Sequence, residues 1–226
     1  MFQPFQTTIW TSIRQARDGK STAVGDFVTK YREPVLSFIR RQGFSAEDAE
    51  DLCQEVFLLI VKDNLLARAE RARGRFRSFL LGVARNVVRN ALRMRDAAKR
   101  GGGTEPLSLE APSEHLQAEP PDETFDRDWI RHMISLAIDA LARRSPRSHQ
   151  AIKMHFDEHL SYADVGQALG LDAKQVDNLI QQARTKLSEL LRAEVAAYCG
   201  SREEYDDEIA YLKRFLAPSK ERAERT

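Results

Sequence analysis

Residues 101–124 read GGGTEPLSLEAPSEHLQAEPPDET, and this stretch limits how many cores the chain can build. Glycine and proline punctuate it, and no apolar periodicity runs through it. Glu105, Glu110, Glu114, Glu119, Asp122 and Glu123 give it six acids, with no Lys or Arg. A structureless run of about twenty-four residues is too long for an ordinary loop within one domain. It is read as a flexible acidic linker. The 226 residues therefore divide into a domain at 1–100, the linker at 101–124, a second domain at 125–192 and a C-terminal helical extension at 193–226.

On both sides of the linker apolar residues recur every three or four positions, and no segment alternates in the strand manner. The expected fold class is all-α, two small helical domains followed by a helix. Short amphipathic helices are predicted at residues 7–17 and from Ser21 past Pro34 to Gly43. Hydrophobic residues at 42% and charged ones at 31% fit a soluble globular chain. No apolar run approaches the eighteen or so residues a membrane span needs. The start, MFQPFQTTIW, lacks the apolar core of a signal peptide. Cys53 and Cys199 are too few and too far apart for a disulfide framework, which fits a reducing cytoplasm.

Ser45 to Asp48 resembles a capping box opening a third helix, AEDAEDLCQEVFLLIVKD. Ala49, Leu52, Val56, Leu59 and Ile60 form its core face, and Asp51, Gln54, Glu55 and Leu58 share another side. Residues 56–61 could pass for a strand, but the cap and the helix-forming flanks oppose it. Two readings of Leu58 and Val61 stay open: a helix buried on two sides, or a docking surface with a leucine among acids.

Residues 75–100 form a basic helix. Leu80, Ala84, Val87, Ala91 and Met94 fall on one face. Arg85, Arg89 and Arg93 fall on the other, beside Asn86 and Asn90. Between residues 66 and 100 there are eleven Lys and Arg against Glu70 and Asp96, although the whole chain is only +1. Like charges at helical spacing repel, so the row calls for a polyanion or a carboxylate face. Phe76 and Phe79 stand at its start. Cations interleaved with aromatics suit phosphate contact and base stacking.

In the second half Trp129, Met133, Leu136, Ala137, Ala140 and Leu141 mark a helix, and His149–Phe156 another that buries Ile152 and Phe156. Ser161 with Asp164 caps a short helix, Gly170 turns the chain, and Asp172 with Gln175 caps the next. This is the helix-turn-helix pattern. The second helix exposes Lys174, Gln175, Asn178, Gln181, Gln182 and Thr185, flanked by Arg184 and Lys186. Amides, hydroxyls and cations of this kind hydrogen-bond base edges and phosphates in a major groove. His155 and His159 stand at i, i+4 without a third ligand, so no metal site is expected. No phosphate loop, nucleophile elbow or paired-cysteine motif appears, so neither an enzyme nor a cofactor is expected.

The two halves together resemble the extracytoplasmic-function sigma factors of bacterial RNA polymerase. Residues 31–35, YREPV, and 48–57, DAEDLCQEVF, look like the opening and the most specific motif of that family's region two. Residues 76–86, FRSFLLGVARN, look like its promoter-melting segment. Residues from about Trp129 to Leu191 resemble region four. The resemblance implies partners, core RNA polymerase and promoter DNA, and admits an anti-sigma factor as a further one. It implies that Asp51, Gln54, Glu55 and Leu58 dock on the clamp helices of the largest polymerase subunit. It implies that the loop before Phe76, with Asn86, holds a flipped non-template base. Arg73, Arg75, Phe76, Arg77, Phe79, Arg85, Asn86, Arg89 and Arg93 are then the DNA-contacting set of region two. The helix from Ala173 to Leu190 would read the more distant promoter element. Phe79 stands where the family commonly has Trp, and Asp177 where a basic residue is usual. Two rivals stay open, a helix-turn-helix regulator that needs no polymerase and a sigma-like interaction protein that opens no promoter.

The tail lies outside the resemblance. Ser201 and Glu204 open a helix whose Tyr205, Ile209, Leu212 and Phe215 share a side, with acids crowding its first turns. It is expected to pack on the second domain. The alternative is a cover over the recognition helix or the docking face, its acids pairing with Arg184, Lys186 or the Arg85 face.

Overall fold

The computed structural model describes residues 21–62, 76–99, 122–199 and 201–216. The predicted helix at 7–17, the segment at 64–74 with Arg73, the neighbouring Arg75, and the linker up to Pro121 lie outside them. Among the described residues every regular element is helical, as expected. In order they are α1 (Ser21–Arg41), α2 (Ala46–Lys62), α3 (Phe76–Lys99), α4 (Glu123–Arg144), α5 (Pro146–Ile152), a π-helical turn (Lys153–Asp157), α6 (Tyr162–Leu169), α7 (Ala173–Tyr198) and α8 (Arg202–Leu216). They form two compact units whose limits differ from the expected ones. Described residues up to Trp129 and from Tyr198 onward make the first unit, and Ile130–Ala197 make the second.

The first unit is built on α1, α2 and α3. Gly43 ends α1 with φ +82°, a conformation that side chains with a Cβ rarely adopt. Ser45 then starts α2, its Oγ accepting the Asp48 amide at 3.0 Å and donating to the Asp48 carboxylate at 2.7 Å. The cap commits residues 56–61 to a helix, and Val56, Phe57, Leu59 and Ile60 are buried in it. Phe27, Tyr31, Val35, Phe38 and Ile39 of α1 meet Leu80, Val83, Ala84 and Val87 of α3 in the same core. The last turns of α3 leave this core: Met94, expected on its apolar face, is 64% exposed.

The end of the expected linker, helical already from Glu123, and the residues after it complete this core. Asp122 Oδ1 accepts the Phe125 amide at 2.9 Å and so begins α4. Phe125 then meets Phe38 edge-on at 6.1 Å. Trp129 stacks on Tyr31, and Tyr198 packs against Trp129 at 5.5 Å and Phe76 at 6.0 Å. Each fully buried aromatic of this kind contributes roughly 1.5–3 kcal/mol. Helical periodicity marks Trp129 as a core residue but carries no sign of which core it joins.

Both thiols of this unit are buried and free. Burial pushes the Cys53 thiol up to about 12. Burial, with Glu204 and Glu208 nearby, raises Cys199 as well.

In the second unit, Met133, Ala137, Ala140 and Leu141 form the buried face of α4. Ala151, Val165, Val176 and Ile180 make a core under Leu160, Tyr162, Leu169 and Leu171. The π-helical turn was not expected. It shifts the register after Ile152 and leaves Phe156 45% exposed, under the Arg184 guanidinium at 5.2 Å, rather than in the core.

Candidate polymerase and nucleic-acid interface

On α2 the acids are divided between two faces. Glu50 turns inward and pairs with Arg32 and, at 3.5 Å, with Arg40. Asp51 and Gln54 are exposed, and Glu55 is half-buried, its carboxyl raised by burial. Leu58 is 53% exposed while Phe57 and Leu59 on either side are buried. Of the two readings of this helix, the geometry is that of an apolar side chain held out among polar ones.

On α3, Arg89 and Arg93 are exposed, and Arg85, Asn86 and Asn90 are half-buried. Arg85 Nη2 lies 3.5 Å from Asp122 Oδ2, so an arginine expected at DNA meets a carboxylate from the linker's end.

Three residues expected at DNA lie in the interior instead. Phe76 is fully buried between Tyr31, Trp129 and Tyr198, and Phe79 is buried beside it. Arg77 is only 3% exposed. Its Nε lies 3.1 Å from Asp126 Oδ1 and its Nη1 3.4 Å from Glu208 Oε1, with both carboxylates almost wholly buried. The guanidinium also stands 4.2 Å from the Tyr211 ring, whose hydroxyl donates to Asp126. Tyr198 Oη donates to Glu208 Oε1 at 3.0 Å and accepts from Trp129 Nε1 at 3.5 Å. A buried cation needs opposite charge beside it, and here α4 and α8 supply the two carboxylates, although Arg77 Nη1 and Glu208 Oε2 make no hydrogen bond among the described residues. The tail helix thus packs in the first unit, not on the second domain as expected, and its Glu208 meets Arg77. Asp126, Glu208 and Tyr211 were absent from the expected site residues. An acid on a helix surface gives no sequence sign of a partner so far along the chain.

In the second unit the turn between α6 and α7 is tightly specified. Ser161 and Asp164 form a complete capping box. Gly170 takes φ +66°. Asp172 Oδ1 accepts the Gln175 amide at 2.7 Å, and Gln175 Oε1 accepts the Asp172 amide at 2.9 Å. A Cβ on Gly166 would come 2.6 Å from the Leu171 carbonyl oxygen, so glycine permits the close approach. All eight residues expected to read DNA on α7 are exposed. Four of them also have structural ties. Gln175 caps the helix, Thr185 Oγ1 donates to the Gln181 carbonyl at 3.1 Å, Lys186 Nζ donates to Ser145 Oγ at 3.0 Å, and Arg184 covers Phe156. Lys174, Asn178, Gln181 and Gln182 complete the outward row.

Residues 27–98 match the family Sigma-70 region 2, and residues 134–187 match Sigma-70, region 4. Together the two spans take in more than half of the chain. The RNA polymerase sigma factor CarQ of Myxococcus xanthus is 27% identical over 175 residues, 77% of this chain and 92% of the relative. The RNA polymerase sigma factor CnrH of Cupriavidus metallidurans is 26% identical over 181 residues, 80% of this chain and 92% of the relative. The chain belongs to the extracytoplasmic-function sigma factors. As a sigma factor it binds core RNA polymerase, recognises promoter DNA and promotes the start of transcription. The region-two span holds α2 and nearly all of α3, and the region-four span holds the helix-turn-helix. Neither span reaches 122–129 or α8, the parts that enclose Arg77. No helix of the described residues is long and apolar enough to cross a membrane.

Proposed function

We propose that this sigma factor docks on core polymerase through the α2 face formed by Asp51, Gln54, Glu55 and Leu58. The exposure of Leu58 between buried neighbours is the observation that supports this most directly. An apolar side chain held out among exposed polar groups, Asp51 and Gln54 on the same helix, suits an anchor at an interface with a polar rim. Promoter contact then falls to Arg85, Asn86, Arg89 and Arg93 on α3, with Arg73 and Arg75 in the preceding segment. Lys174, Asn178, Gln181 and Gln182 on α7 read the more distant element, and Arg184, Thr185 and Lys186 contact its backbone. Separating base pairs costs on the order of 1.4 kcal/mol per stacking step. Phosphate contacts by these cations and hydrogen bonds to a base freed at Asn86 offset that cost, so opening runs on binding energy, without nucleotide hydrolysis, cofactor or metal. The factor acts in the cytoplasm, where the polymerase is.

A binding titration tests the docking face. Gln54→Ala with Glu55→Ala, or Leu58→Asp alone, is expected to weaken core-polymerase binding at least roughly tenfold with the circular dichroism spectrum unchanged. Unchanged affinity in both variants would remove α2 as the docking element.

A further inference from the structure

Carboxylates from outside both family-matched spans occupy cations of region two. Asp122 meets Arg85, Asp128 meets Arg41 and accepts from Ser37 Oγ at 2.8 Å, and Asp126 and Glu208 enclose Arg77. Phosphate oxygens would make the same contacts to arginine in a promoter complex. The aromatics that start the melting segment are sealed by Trp129 and Tyr198, from the same two regions. Outside this contact α8 exposes Glu203, Asp206 and Asp207, so a polyanion approaching over it meets like charge.

We propose that residues 122–129 and 198–216 form an intramolecular clasp on region two, with buried carboxylates in the place of promoter phosphates, and that the clasp opens when promoter DNA is engaged. The inference rests on the reading of α3 as a DNA-contacting helix. A closed clasp lowers apparent promoter affinity by the fraction of molecules it holds closed. Its design permits release. The closed state is held by charged and phenolic groups, which water and phosphates can satisfy, as well as by apolar area. A lone helix the length of α8 is marginal in water, so its protection from exchange depends on this contact and reports it.

Hydrogen exchange measured by mass spectrometry on the full chain tests the clasp in three states: free, with core polymerase, and with core polymerase on fork-junction promoter DNA. The α8 amides are expected to be protected in the free factor and to exchange about tenfold faster or more in the promoter complex. Equal protection in the free factor and the promoter complex would overturn the clasp. Glu208→Gln with Tyr211→Phe keeps the shape of the contact and removes a charge and a hydroxyl. This variant is expected to bind the fork-junction DNA, with core polymerase, about tenfold more tightly. An unchanged or weaker affinity would overturn autoinhibition and leave α8 a stabilising element. Arg89→Ala measured alongside separates the two readings. Exchange of α8 that accelerates while Arg89→Ala has no effect would overturn the DNA reading of α3 and, with it, the exchange of carboxylates for phosphates, whereas Arg89→Ala that weakens binding while α8 stays protected would overturn the clasp alone.

Discussion

Tyr31 and Trp129 stack with ring centroids 5.4 Å apart and planes 10° from parallel. One residue comes from α1 and the other from the first turns of α4, beyond the acidic linker. The contact makes residues 122–129 part of the region-two core, and it is joined by Phe76 and Tyr198. Trp129→Ala is expected to cost roughly 3–5 kcal/mol, the range for truncating a buried large aromatic. Denaturant unfolding of the full chain checks the value. A loss under about 1 kcal/mol would mean that the stack contributes little to the core.

Tyr211, against the Arg77 guanidinium, and Tyr198, which donates to Glu208, predict an alkaline limit to stability. Burial and donation to Asp126 push Tyr211 up to about 12, and burial, with Glu208 nearby, raises Tyr198 as well. An unfolded tyrosine ionises near pH 10. Above that pH the unfolded chain binds fewer protons than the folded one, so stability falls as pH rises. The stabilisation from Tyr211 is fully present below about pH 10 and is lost towards pH 12. Unfolding free energies measured between pH 8 and 11 are expected to fall from about pH 9, as the unfolded thiols and then the phenols ionise, and Tyr211→Phe should make the fall above about 10 shallower.

Gly166 and Gly25 make opposite predictions. Alanine at 166 would press on the Leu171 carbonyl at 2.6 Å, a backbone atom that cannot rotate away. Gly166→Ala is expected to destabilise the helix-turn-helix by roughly 1–3 kcal/mol and to weaken binding to the distant promoter element. A Cβ on Gly25 meets nothing within 4 Å inside α1. Gly25→Ala is expected to stabilise by about 0.5–1 kcal/mol. Thermal melting of the two variants compares them directly.

Arg89 and Arg93 are exposed on α3 and are expected to act through phosphates. Replacing either by Ala should reduce the slope of log affinity against log salt by about 1. Promoter binding measured across a salt series provides the slope. Asn86→Ala should leave the slope alone and lower permanganate reactivity of unpaired thymines.

The elements whose signals are local were legible in the sequence. The Ser45 box, the Ser161–Asp164 box, the Gly170 turn and the Asp172–Gln175 cap stand where the sequence placed them, because each is set by neighbours within a few residues. The split of α2 into a core face and a polar face with Leu58 was legible for the same reason. The destination of a face was not. Phe76, Arg77 and Phe79 carry the composition of a nucleic-acid surface, yet their neighbours are Trp129, Tyr198, Asp126 and Glu208, all far along the chain. Periodicity says that a side is apolar and not what covers it. Phe156 was misplaced through the π-helical turn, which changes the register that a 3.6-residue period assumes.

The two buried thiols give this factor its own clocks. The thiolate is the form that reacts, and burial disfavours it at both positions. Cys53 lies between α2 and the Arg32 carbonyl of α1, 3.9 Å away, so a thiol reagent reaches it only when those helices part. Cys199 lies at the foot of the C-terminal helix and becomes accessible when that end lifts. Timed alkylation of the unmodified chain therefore reads two events separately, and the order in which the cysteines are modified tells whether the tail leaves before the core loosens.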